Sequence, residues 1–306
     1  MDLPRTFERE RAVVIGCGGV LGIAWSVGLI AGLARKGLKL HESDLWVGAS
    51  AGSVVAARLA AQVPVDELMH EQTNGLAVSQ EQLRPYSQVD VDEKNRQLFD
   101  KVRGDLLQAR QRIGAWALRS NTPPLEQRKL IIAQRLNGLV WPQKSLRIVT
   151  VNALTGEQKI WDSSSGISLT DAVAASCAVP GIWPCFPLQG EHYMDGGLRS
   201  MTNADLAAQS RRVLVISPQG YSDGNPVSGQ LRAEIDALLM QGSIAHVIEP
   251  DSRCLATIGP NILDPSRCAA VALAGERQGL ELADAAHAFW LGQASPNPFN
   301  TTPAYA

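Results

Sequence analysis

The sequence has no strong charge of either sign: 28 Lys and Arg stand against 30 Asp and Glu, a formal net charge of −2. No broad electropositive field follows to hold a phosphate backbone, so no nucleic acid is expected as a partner. The five cysteines, Cys17, Cys177, Cys185, Cys254 and Cys268, are odd in number and form no CxxC spacing. Neither a disulfide framework nor a zinc ribbon is suggested, and a reducing, cytoplasmic compartment fits best. Metal ligation lacks its pattern too, since His41-Glu42 and His70-Glu71 are not followed by the second histidine of HExxH. There is no GK[ST] for a phosphate-cradling loop, and GxGxxG fails in both registers: from Gly16 the last position is Leu21, and from Cys17 the first is not glycine. No metal and no cofactor is implied, and no internal repeat is present.

The one long uncharged run, Ala12 to Ala34, is long enough on paper for a membrane span of about 20 residues. Glycines at 16, 18, 19, 22, 28 and 32 argue against it, each weakening a helix by about 0.8–1 kcal/mol relative to alanine. A strand, a tight turn and a buried helix explain the run better. The leader MDLPRTFERER mixes both charge signs and no AxA-like cleavage site follows, so a signal peptide is not expected.

A chain of 306 residues, 45% hydrophobic and 19% charged, can bury a large core, and one elaborated α/β domain over 1–306 is the expectation. Arg11 to Gly16 reads as a strand and Val20 to Lys36 as a helix; Asp44 to Ala49 and Ala51 to Ala61 repeat the pattern. Two successive βα units imply a mainly parallel sheet with helices packed on it. From about 76 to 143 the character changes to charged, helix-compatible segments, Asp92 to Leu118 and Leu125 to Leu139, which reads as an inserted helical cap on a core of about 12–210. Strands are expected at Leu146 to Asn152, Glu157 to Trp161 and His192 to Gly197, with a helix at Leu169 to Ala178. An αβ extension over 211–290 follows: strands at Arg212 to Ser217 and Ala245 to Ile248, a helix near Gln230 to Met240 and a last helix at Ser266 to Phe289. The Pro/Asn-rich tail, 291–306, is expected to be disordered.

The sharpest motif is Gly48-Ala49-Ser50-Ala51-Gly52, a GxSxG between a strand and a helix. That context is the nucleophile elbow, in which flanking glycines let backbones pass close and the serine hydroxyl stands at the carboxyl edge of the sheet. A serine alcohol is a weak nucleophile and needs a base and donors for the tetrahedral oxyanion. The loop Gly16-Cys17-Gly18-Gly19-Val20-Leu21-Gly22, at the turn of the first βα unit, can converge backbone N–H groups on one point. For the base, Asp195 stands out, delivered by a strand and followed by Gly196 and Gly197, although Asp-Gly is also among the commonest turn signals. An aspartate near its ordinary pKa of about 3.9 is a poor proton acceptor, so its site has to be dry.

Together the glycine-rich loop, GASAGS at Gly48 to Ser53, the stretch Ser168 to Pro187 and the later Asp195-Gly196-Gly197 resemble the patatin-like phospholipase family, from about Ala12 to Ala207. The resemblance implies a three-layer αβα fold with an inserted helical cap and hydrolysis of lipid acyl esters by a Ser–Asp dyad without histidine. Carried over, it implies Ser50 as nucleophile, Asp195 as base and the N–H groups of Gly18 and Gly19 as oxyanion donors, with Gly16, Gly22, Gly48, Gly52, Gly196 and Gly197 supporting the turns. It also implies a lipid or ester substrate as partner and transient contact with a membrane surface. Two positions depart from the family's loop pattern GGGx[RK]G: Cys17 replaces its first glycine and Leu21 its basic residue.

Alternatives stay open. His246 and His287 follow Ser50 and Asp195 in the order of a Ser–Asp–His triad, although GxSxG here follows only one βα unit. Cys17 and Leu21 leave room for a catalytically idle lipid-binding or regulatory protein of the same fold. Among the tryptophans, Trp25 and Trp46 read as core. Trp116, Trp141 and Trp183 also read as core, with an acyl channel or a lipid surface as the lesser alternative.

Overall fold

The computed structural model describes residues 6–76, 81 and 83–293; residues 77–80 and 82 of the expected cap and 294–306 of the expected disordered tail lie outside the described residues. Strand β1 (Arg9–Ile15) turns through Gly16–Gly18 into helix α1 (Gly19–Arg35), and β2 (Leu45–Ala49) passes through one residue, Ser50, into α2 (Ala51–Ala60). The uncharged stretch 12–34 is therefore strand, turn and buried helix. No helix among the described residues is long and apolar enough to cross a membrane.

These strands are continuous apolar runs because both faces of the sheet are covered. Alternate residues of β1 point opposite ways: Val13 and Ile15 join the core that holds α1 and α2, and Ala12 and Val14 join a second core on the other face. Helix α10 (Cys268–Leu291) lies along α1, and the glycines that would weaken an isolated helix are the contact surface. A Cβ at Gly28 would stand 1.9 Å from Ala272 O, and one at Gly32 2.2 Å from Glu276 O.

Further along come α3 (Val65–Thr73), α4 (Gln88–Lys101), α5 (Leu106–Ala117) and α6 (Leu125–Leu136). Strands β3 (Ser145–Asn152) and β4 (Gln158–Trp161), helix α7 (Leu169–Ser176), and strands β5 (Phe186–Leu188) and β6 (Glu191–Asp195) follow. The chain continues through β7 (Ser210–Ile216), α8 (Leu231–Met240), β8 (Ile244–Ile248) and α9 (Ser252–Ile258) to α10. The sheet runs β5-β6-β3-β2-β1-β7-β8, with β4 on β3. From β3 to β8 along this order neighbours are parallel, and β4, β5 and β6 add antiparallel pairs. With α1, α2, α7 and α10 on one face and α8 on the other, the architecture is the expected three-layer α/β sandwich.

Three local differences have physical reasons. The segment expected as Asp92 to Leu118 is two helices, broken where Arg103 and Gly104 take positive φ (54° and 82°) and Asp105 caps α5 by accepting the Gln108 N–H. Strand β5 was not anticipated, since Pro187 weakens the signal of a three-residue edge strand. The inserted helices are also unlike one another: α6 buries Ile132 and Leu136 in the main core, whereas α4 and α5 share small satellite clusters around Val102, Ala109 and Val227.

Candidate active site

Register alone brings the singled-out residues to one level of the sheet. Ala49 on β2 is paired with Val149 on β3, and Thr150, the next residue of β3, is paired with Asp195 on antiparallel β6. Strands lie about 4.8 Å apart, so Ser50 and Asp195 end two strand spacings from each other on either side of β3, close enough for side chains to close the gap. On the other flank Ile15 pairs with Gly48, which sets Gly16 to Gly19 beside the elbow.

Ser50 has φ 52° and ψ −127°, a sharply strained geometry for a residue with a side chain. Its neighbours permit the turn because they lack Cβ atoms: one at Gly48 would sit 2.6 Å from Ser53 Cα, and one at Gly52 1.9 Å from Ile15 O. The opposite loop is equally tight, since a Cβ at Gly18 would meet Pro218 at 2.6 Å and Gly19 has φ +61° at the start of α1. No acceptor among the described residues takes up the N–H of Gly18 or Gly19, and both residues line the same cavity as Ser50.

Asp195 is 5% exposed. Its Oδ1 accepts the Gly197 N–H at 2.8 Å, and Cys17 Sγ lies 3.9 Å from the same oxygen. Oδ2 is buried without a hydrogen-bond partner, and the Ser50 hydroxyl is near enough to act on the carboxylate without closing a well-aligned bond. Such bonds often tighten only when substrate binds. Burial pushes the Asp195 carboxyl up to about 6, against the opposing pull of Ser50, the Gly197 N–H, Arg128 and Cys17. Burial and then the Asp195 charge push the Cys17 thiol up as well, so it remains a neutral small apolar group over Gly197.

Ser50, Asp195, Gly18 and Gly19 open into one cavity of about 820 Å³, roofed by residues of α4 and α5 and walled by 179–182 and 261–263. Its lining is mainly apolar, including Val91, Leu98, Ile113 and Ile182, which suits an acyl chain. No histidine lines it; His246 sits on edge strand β8 against Phe289, where burial pushes its imidazole down to about 4, and His287 is on α10. Among the described residues no group of three or more His, Cys, Asp or Glu side chains is arranged to hold a metal ion.

A family model described as patatin-like phospholipase matches residues 13–208. The chain belongs to this family. It is thereby a hydrolase of lipid esters. No curated protein sequence matches the chain. Among solved structures, VipD from Legionella pneumophila is similar at 15% identity and a TM-score of 0.44, over 91% of this chain and 67% of that one. The type III effector protein ExoU is similar at 16% identity and a TM-score of 0.37, over 91% of this chain and 54% of that one. The chain thus spans about two thirds and about half of their lengths.

Several residues that hold this patatin-like site carried no signal of their own in the sequence. Ser176, the last residue of α7, accepts the Ser50 N–H at 2.9 Å and donates to Val149 O at 2.6 Å, tying the elbow to the neighbouring strand. Asn203 donates to Gly196 O and Ser200 O, and Glu234 on α8 accepts from Thr202 and the Ala204 N–H, which fixes the loop after Asp195. That loop in turn accepts the Cys17 N–H at Met201 O (2.8 Å), and Arg110 of α5 donates to Leu198 O and Arg199 O. One expectation is corrected: Trp116 is not core but 54% exposed, because its ring lies over Gly181 at the cavity, where a Cβ would come within 2.3 Å of it. Trp25, Trp46 and Trp183 are buried, and Trp141 is partly buried, with its indole N–H on Ile167 O.

Proposed function

We propose that the chain hydrolyses lipid acyl esters with a Ser50–Asp195 dyad and a covalent acyl-enzyme. Asp195 takes the Ser50 hydroxyl proton as Oγ attacks the ester carbonyl carbon, and the oxyanion rests on the N–H groups of Gly18 and Gly19. Collapse breaks the ester C–O bond, and the alcohol leaves with the proton held by Asp195. Water then adds to the acyl carbon with Asp195 again accepting a proton, and the acid departs as Ser50 regains its hydrogen. The observation that carries this reading is the buried Asp195 carboxylate, with one oxygen unpartnered, in the same apolar cavity as the strained Ser50.

The domain reading takes 1–306 as one unit in which α4 and α5 act as the cap over the acyl cavity. Exposed Val89, Leu107 and Trp116 on these helices favour transient, peripheral contact with a membrane surface by a cytoplasmic protein. The test is labelling by a fluorophosphonate probe together with turnover of lipids differing in headgroup, with Ser50→Ala as the blank. Labelling at Ser50 and turnover abolished in Ser50→Ala are expected. A folded protein that turns over lipid esters without labelling at Ser50, or keeps turnover in Ser50→Ala, overturns the dyad.

A further inference from the structure

Helix α6 brings a buried cation to the back of the site. Arg128 is 5% exposed, its guanidinium stacks on the Trp183 ring at 4.2 Å, and its Nε is buried without a hydrogen-bond partner. Its terminal nitrogen donates to both oxygens of Glu81 at 3.3 and 3.2 Å, and the same carboxylate is bound by Arg135, about two turns further along the same face of α6. A small cavity of about 20 Å³ is lined by Arg84, Arg128, Arg135 and Glu81 on one side and by Ser50 and Gly19 on the other.

One carboxylate shared between buried Arg128 and partly buried Arg135, with Arg84 lining the same cavity, leaves net positive charge largely out of water, which is expensive unless another anion lies near. Ser50 lines both this small cavity and the larger one, and the larger one holds the buried anion Asp195. The loop of the first βα turn offers no cation of its own, since Leu21 is fully buried and apolar. On the reading of Ser50 and Asp195 as the reacting pair, we propose that Arg128 is a positioning residue that serves this pair as counter-charge, a cation lent to the reaction centre by the inserted helix. The groups acting on Asp195 include Ser50 from the elbow, Cys17 from the glycine loop, the Gly197 N–H from its own turn, Cys177 after α7, Tyr86 before α4 and Arg128 from α6, while Asp90, Lys94 and Arg112 line the same cavity from α4 and α5. Of the cations lining the two cavities that meet at Ser50, Lys94 and Arg112 are exposed, Arg84 and Arg135 are partly exposed, and Arg128 is buried. A buried pair that merely pins α6 to the core has no reason to act on the titration of Asp195.

The experiment is the pH profile of kcat/KM for a short acyl ester, with thermal melting alongside and the Ser50→Ala background subtracted. The acid limb is expected to rise by about half a pH unit or more in Arg128→Met and to stay near the parent in Arg128→Lys. It is expected to fall in Glu81→Gln, where the cation loses its competitor. Arg58→Met removes another buried, paired arginine, bound to Glu67 and Glu71, and should lower the melting midpoint without moving the limb. A limb unmoved in Arg128→Met, or moved equally by Arg58→Met, overturns the proposal. If Arg128→Met does not fold, a limb in Glu81→Gln that stays put or rises overturns it in the same way. Activity persisting in Ser50→Ala would instead remove the dyad itself, a separate outcome.

Discussion

The two βα turns beneath the cavity are so closely built that a Cβ at Gly16 in the first or Gly52 in the second would run into backbone atoms. Helices α4 and α5 above it bury only Asn95 and, on α5, Ala109, Gly114 and Ala117, while Val89, Leu107 and Trp116 face solvent. Floor and roof thus divide two requirements. In the proposed mechanism the oxyanion donors and the nucleophile need fixed positions, which dense packing and a strained Ser50 provide. A site for flexible acyl chains needs apolar surface that can yield, which a thinly anchored helix pair provides. Substitutions below should therefore abolish chemistry or stability, and substitutions above should alter only which substrate is preferred.

The largest effect belongs to Asp195→Asn. Turnover is expected to fall by about 10⁴-fold, the scale on which a catalytic carboxylate acts, with the far-UV spectrum unchanged. Retained turnover would show that the floor holds no essential base. Next is Gly52→Ala, whose Cβ would lie 1.9 Å from Ile15 O. Overpacking of this kind costs up to about 3 kcal/mol, to be read from the urea midpoint. An unchanged midpoint would mean that the elbow yields as readily as the roof.

Most of the floor was readable in advance. GxSxG between a strand and a helix, the glycine loop and Asp195 before two glycines are local patterns, and the register of β1, β2, β3 and β6 carries them to one level. Its supports were not readable, because Ser176, Asn203 and Glu234 act through single hydrogen bonds to residues distant in the chain, and nothing in their own neighbourhoods marks them. The roof was legible only as a change of composition. Its break at Arg103 and Gly104, the split fate of α6 and the exposure of Trp116 depend on what the helices pack against, which one-dimensional periodicity does not encode.

A third prediction concerns the stability that the floor gives up for function. Asp195 titrates at about 6 in the folded protein instead of 3.8, because burial disfavours the charged form. A raised folded pKa contributes stability that is full below the unfolded value and is lost as pH rises through about 6, amounting to about 3 kcal/mol. Asp195→Asn should therefore be the more stable protein at pH 8 by up to about that much, with the gap closing toward pH 4. Denaturant midpoints at the two pH values check this, and equal midpoints at pH 8 would mean that the site stores no such penalty.

The smallest effect is expected at the roof. Trp116 lines the cavity yet is half exposed, so Trp116→Ala removes apolar surface from the acyl path without opening a void in the core. About 1 kcal/mol of chain contact is at stake, near a five-fold rise in KM for a long-chain ester. A short ester, whose acyl group stays at the floor, should keep its kcat and KM, and the urea midpoint should not move. A series of esters of increasing acyl length separates the two regions: a penalty that grows with length places the ring in the roof alone. If short and long esters suffer equally, the contact of Trp116 with Gly181 is instead transmitted along 179–182 to the reacting pair, and that part of the roof belongs with the floor.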